Sequence, residues 1–120
     1  MYFLTHHISR YLFALPFLAF GVVHLISGST LAAFLPEVLP GSSLMYVYAT
    51  GTMLILAALS ISFKYYDYYA SLGLAALLLL FVLCIHAPSV SSTNPMAVSN
   101  VLKDSALCGA ALLYAGTRMK

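Results

Sequence analysis

Four stretches of about 20 mostly apolar residues follow one another along a 120-residue chain, and that repetition limits the fold more than any other feature. They cover residues 10–28, 44–63, 69–87 and 98–117. Each is long enough to cross the hydrocarbon core of a bilayer as a helix. A helix is also the form in which a single segment satisfies its own backbone hydrogen bonds in lipid. The remaining composition leaves little room for a soluble alternative. Hydrophobic residues make up 62% of the chain, charged residues only 7%, and the mean hydropathy is +0.99. Too few polar groups are present to cover the surface of a soluble domain. The sequence therefore predicts an all-α protein: one membrane domain over residues 1–120, a bundle of four transmembrane helices with short loops and both termini on the same side.

The connections fit this division. Residues 29–43, "STLAAFLPEVLPGSS", hold Pro36, Pro40 and Gly41, which break helices, and "LAAFL" suits a segment lying flat in the interface. Residues 64–69, "KYYDYY", place charges and tyrosines where headgroups and an aromatic belt are expected. Residues 88–95, "PSVSSTNP", form a polar loop, with Pro95 just before the last span. The first span reads as retained, because its apolar stretch exceeds a signal-peptide core and no small-x-small cleavage site follows it. No soluble tail is expected.

Arg10, Lys64, Arg118 and Lys120 fall on the side of the termini, whereas Lys103 is the single lysine or arginine on the other. Positive residues collect in the cytoplasm, so both termini are expected there. The formal net charge of +2, without a basic cluster, argues against nucleic-acid binding. Cys84 and Cys108 have neither C-x-x-C nor metal-finger spacing and read as small packing residues.

This topology brings the intramembrane polar residues to one level. His24 lies near the outer end of the first span, His86 at the outer end of the third, and Lys103 and Asp104 near the outer start of the fourth. Glu37 belongs to the outer loop, as a solvated carboxylate. Ionisable groups in hydrocarbon are costly and call for a partner or a protein-lined cavity. Positions 104, 108, 111 and 115 share a helix face and read Asp, Cys, Ala, Ala, so Asp104 is expected to face inward. Lys103, rotated by about 100°, is free to snorkel to the headgroups. Gly21, one turn from His24, permits close helix approach, and Pro16 is a candidate kink. Tyr46 and Tyr48 add hydroxyls at the same depth. The expected site is an outward-facing pocket with aromatic walls and a His/Asp floor. The same residues also fit a structural role, with Asp104 bonded to His24 or to backbone and holding the helices in register.

A family resemblance rests on "FGVVH" at 20–24, "LPEVLPG" at 35–41, "YATG" at 48–51, "IHAP" at 85–88 and "NVLKDSALCGAALLYAG" at 100–116. In this order they resemble the DoxX-like family of small four-helix membrane proteins, over nearly the whole chain. The last stretch, with its KDxALxGxAL pattern, is the most specific. It departs from the family at Cys108 and Ala110, near where many members carry a glycine pair. The resemblance implies a four-helix bundle in the bacterial inner membrane. It extends to a subunit of a thiosulfate:quinone oxidoreductase and to proteins of redox-stress complexes, but fold alone does not assign activity.

Two functions follow as expectations. One is a quinone-interacting redox subunit, in which His24 and Asp104, with His86, Tyr46, Tyr48 and Lys103 nearby, bind a quinone-like ligand. A redox partner protein supplies the electrons, because the sequence carries no flavin, nucleotide or cluster motif. The other is a non-enzymatic scaffold or accessory subunit whose polar cluster is structural. Homo-oligomerisation fits either. Haem or metal held by His24 and His86 is a lesser option, since two histidines are a weak ligand set. Transport is weaker still for one small four-helix unit.

Overall fold

The computed structural model describes residues 1–37, 39–91 and 93–119; Val38 of the first loop, Ser92 of the last loop and Lys120, one of the four cations counted for orientation, lie outside the described residues. Its regular structure is helical. Five α-helices run Ser9–Ile26 (α1), Gly28–Ala32 (α2), Ser43–Phe63 (α3), Asp67–Phe81 (α4) and Pro95–Arg118 (α5). A π-helical turn, Leu4–Ile8, leads into α1. A second, Val82–His86, prolongs α4 and ends in a 3-10 turn at Ala87–Ser89. Among the described residues four continuous helical segments are long and apolar enough to cross a membrane: Leu4–Ile26, Ser43–Phe63, Asp67–Ser89 and Pro95–Arg118. The chain is thus an all-α, multi-pass membrane protein.

Three boundaries differ from those expected, each for a local reason. The first span begins at Leu4 instead of residue 10, because nothing in "LTHHIS" breaks a helix. Arg10 consequently lies about 9 Å along the helix from its first residue, inside the span. The third span begins at Asp67, whose carboxylate suits the positive end of the helix. It follows a turn in which Lys64 (φ 59°) and Tyr66 (φ 55°) adopt left-handed backbone and end α3. The fourth begins at Pro95, which occupies the first helical position after Asn94. The Asn94 side chain accepts a hydrogen bond from the Ala97 N–H at 3.3 Å. In the first connection, the short helix α2 forms directly after Ser27.

The chain forms two compact units, Met1–Ala70 and Ser71–Lys120. In the first, α1 and α3 run antiparallel and approach through two glycines. A Cβ on Gly21 would lie 2.7 Å from the Gly51 carbonyl oxygen and 2.6 Å from Ile55 Cγ1. A Cβ on Gly51 would lie 2.7 Å from His24 Cβ. Gly28 extends the same register, lying against the Tyr48 ring and Leu44. Buried positions Ala14, Phe17 and Gly21 on α1, and Val47, Gly51, Leu54, Ala58 and Ile61 on α3, recur every three or four residues, the mark of one helix face.

In the second unit the buried face of the third span runs Ser71, Ala75, Leu78 and Val82, in steps of three and four. His86 is the next residue in that series. On α5, Ala97, Asp104, Ala111 and Ala115 are buried and Cys108 is partly so. The face that the sequence assigned to Asp104 is therefore the buried one.

Candidate functional site

The second unit holds a compact polar cluster. Asp104 is 4% exposed, on the small-residue face of α5. Its Oδ2 lies 3.0 Å from His86 Nε2, and its Oδ1 lies 3.6 Å from Lys103 Nζ. Both carboxylate oxygens are thus engaged, which offsets the cost of burying the charge. His86 comes from the π-helical turn Val82–His86, a type of irregularity that collects at functional sites.

Accessibility is divided between the pair. The His86 side chain is 22% exposed and that of Asp104 only 6%. Because a carboxylate accepts hydrogen bonds, His86 Nε2–H is the donor, and Nδ1 is left as the acceptor of the neutral ring. A buried carboxylate that fixes the tautomer of a more accessible imidazole is the arrangement used for proton transfer and for hydrogen bonding to a ligand oxygen. Lys103 reaches back towards Asp104 although its side chain is 46% exposed, in place of the purely outward course expected of it.

The other candidates belong to the first unit and have local partners. His24 Nδ1 donates to the Phe20 carbonyl at 2.7 Å, one turn back on its own helix, leaving Nε2 as the acceptor of the neutral ring. Tyr46 donates its hydroxyl to the Pro40 carbonyl at 2.5 Å and so ties the first loop to the start of α3. The Tyr48 ring lies against Gly28. Glu37 is exposed. Within the second unit the ion-pair partners of Asp104 are His86 and Lys103, an arrangement that the sequence reading, which offered His24 or backbone as partner, did not name. A signal for this was present. His86 and Asp104 lie on consecutive spans joined by one short loop, and a hairpin brings its two flanks together.

One further contact and one burial were not foreseen. Cys108 Sγ lies 3.3 Å from the Ala75 carbonyl oxygen, a weak hydrogen bond between α5 and α4 within the second unit. Cys84 is exposed, and both thiols are free. Arg10, read as a flanking cytoplasmic residue, is buried. No cluster of three or more metal-ligating side chains occurs among the described residues.

The fold and cluster define a small multi-pass membrane protein with a buried carboxylate–imidazole pair. No protein-family model, curated protein or solved structure matches the chain.

Proposed function

We propose that this protein is a quinone-interacting membrane subunit of a redox complex, of the DoxX-like type, in a bacterial inner membrane with both termini cytoplasmic. The observation that carries the reading is the His86–Asp104 pair, a buried carboxylate holding a more accessible imidazole beside Lys103. Reducing a quinone to a quinol takes two electrons and two protons. A partner protein supplies the electrons. Protonated His86, held at Nε2 by Asp104, would donate its Nδ1–H to one quinone oxygen, and, after the ring is reprotonated from water, the second proton would follow by the same route. The KDxALxGxAL pattern of α5 supports the family reading.

Binding of a short-chain ubiquinone analogue to the purified full-length protein, followed by calorimetry, tests this. His86→Ala and Asp104→Asn are each expected to weaken binding about ten-fold or more, the scale of one lost hydrogen bond to a charged group. Unchanged affinity in both variants would remove the pair from the proposal.

A second reading is a non-enzymatic scaffold. The observation favouring it is that α5 meets the preceding span through two polar contacts, His86–Asp104 and Cys108–Ala75, which together fix helix register. A wild-type protein that binds no quinone, but whose Asp104→Asn variant loses stability and co-purifying partners, selects this reading.

A further inference from the structure

The fold treats the chain's two asparagines differently. Asn94 is satisfied on both sides of its amide: Oδ1 accepts from the Ala97 N–H at 3.3 Å, and Nδ2 donates to the Ser89 carbonyl at 3.4 Å. Asn100 is half-buried, and its side chain makes no hydrogen bond to any described residue. That amide carries two N–H donors and a carbonyl acceptor. Hydroxyls in the second unit bond back to their own helix: Ser89 donates to the Ile85 carbonyl and Thr117 to the Tyr114 carbonyl, each at 2.7 Å. Asn100 makes no such bond. A half-buried amide without a partner in a membrane-spanning helix is unfavourable and calls for one from outside the unit.

The register of α5 shows where this amide lies. Asn100 precedes Asp104 by four residues, so the two are about 6 Å apart along the helix and within about 40° of one face. Ala97, on the same face, is 3% exposed. Asp104 meets His86 and Cys108 meets Ala75, so α5 runs antiparallel to the third span. Asn100 is therefore level with the residues just after His86, the 3-10 turn Ala87–Ser89. Ala87 and Pro88 are exposed and have no polar side-chain atom, and the Ser89 hydroxyl is turned back to Ile85. This turn offers the amide no side-chain partner. Asn100 is left one helical turn from the carboxylate that holds the accessible imidazole.

We infer that Asn100 is a second hydrogen-bonding contact for the ligand oxygen that His86 addresses, an assignment that rests on the quinone reading above. A quinone oxygen is a carbonyl acceptor, and in the quinol it becomes a hydroxyl donor. The amide suits both, with Nδ2–H donating to the carbonyl and Oδ1 accepting from the hydroxyl. Neutral His86 has only an acceptor at Nδ1, so Asn100 supplies the donor that holds the oxidised ligand until the ring is protonated.

The test titrates the purified full-length protein with a short-chain ubiquinone analogue, oxidised and reduced, by calorimetry. Asn100→Leu, which removes both polar groups at similar volume, is expected to weaken binding of both forms about three- to ten-fold, the scale of one neutral hydrogen bond. Asn100→Gln is expected to recover part of the loss, and Ser99→Ala, at an exposed neighbouring position, to match wild type. The unfolding midpoint of Asn100→Leu is expected to equal or exceed that of wild type, because no internal hydrogen bond is lost. Wild-type affinity in Asn100→Leu overturns this inference and leaves the His86–Asp104 reading standing. Absence of binding by wild type overturns both. Weaker binding together with a lowered unfolding midpoint in both Asn100→Leu and Asn100→Ala assigns the amide to folding and overturns the inference.

Discussion

His86 Nε2 lies 3.0 Å from Asp104 Oδ2, joining the end of the third membrane-spanning helix to the third turn of the fourth. Asp104 is almost fully enclosed, whereas His86 retains contact with its surroundings. The pair therefore has one member built for position and one for exchange. Of the two, His86 is the one open to protons or a ligand oxygen.

Breaking this pair will be costly in either functional reading. Asp104→Ala removes the carboxylate from the imidazole, and His86→Ala takes from the buried carboxylate its 3.0 Å partner. Each is expected to destabilise the protein by about 1–3 kcal/mol, the range for a buried group that loses its partner. A double-mutant cycle in mixed detergent–dodecyl sulfate micelles should show coupling above about 0.5 kcal/mol between positions 86 and 104. Strict additivity would mean that the contact contributes nothing to folding.

The glycines divide into two groups. Gly21→Ala and Gly51→Ala each place a methyl group under 3.0 Å from atoms of the facing helix, so a loss of about 1–3 kcal/mol is expected. At Gly73 and Gly109 nothing lies within 4 Å of a built Cβ. Alanine there should be neutral, or stabilising by up to about 1 kcal/mol, through helix propensity. Unfolding midpoints of the four single variants check the contrast, and equal losses at all four would contradict the α1–α3 packing.

Asn94 caps α5 through its side chain. Asn94→Ala is expected to cost about 1 kcal/mol, while Asn94→Asp should keep the cap and add a favourable charge at the helix start. Thermal unfolding followed by circular dichroism distinguishes them. If alanine matches wild type, the cap is energetically idle.

The two thiols should react at different rates. Cys84 is exposed, whereas Cys108 is part-buried and directed at the Ala75 carbonyl. In single-cysteine variants in detergent, N-ethylmaleimide should modify the Cys84 thiol first. Equal rates would argue against the contact that Cys108 makes with α4.

What the sequence determined by itself is the class of protein and the identity of its unusual residues. Apolar stretches of bilayer length dictate helices, because lipid offers backbone groups no other partner. The small-residue face of α5 dictates that Asp104 points inward, because helical periodicity is a local property. His86, Lys103 and Asp104 were all legible as candidates for the same reason: charges are rare in such a chain and each needs an explanation. Tertiary structure alone decided the partners. Periodicity fixes a face but not which neighbouring side chain meets it, so the sequence offered His24 or backbone for Asp104 and did not name His86. The π-helical turn at Val82–His86 and the register set by Gly21 and Gly51 arise from packing between helices. So does the burial of Arg10, whose place inside the first span depends on a helix beginning at Leu4. A one-dimensional pattern carries the cost of each buried charge, whereas only the folded chain specifies the group that offsets it.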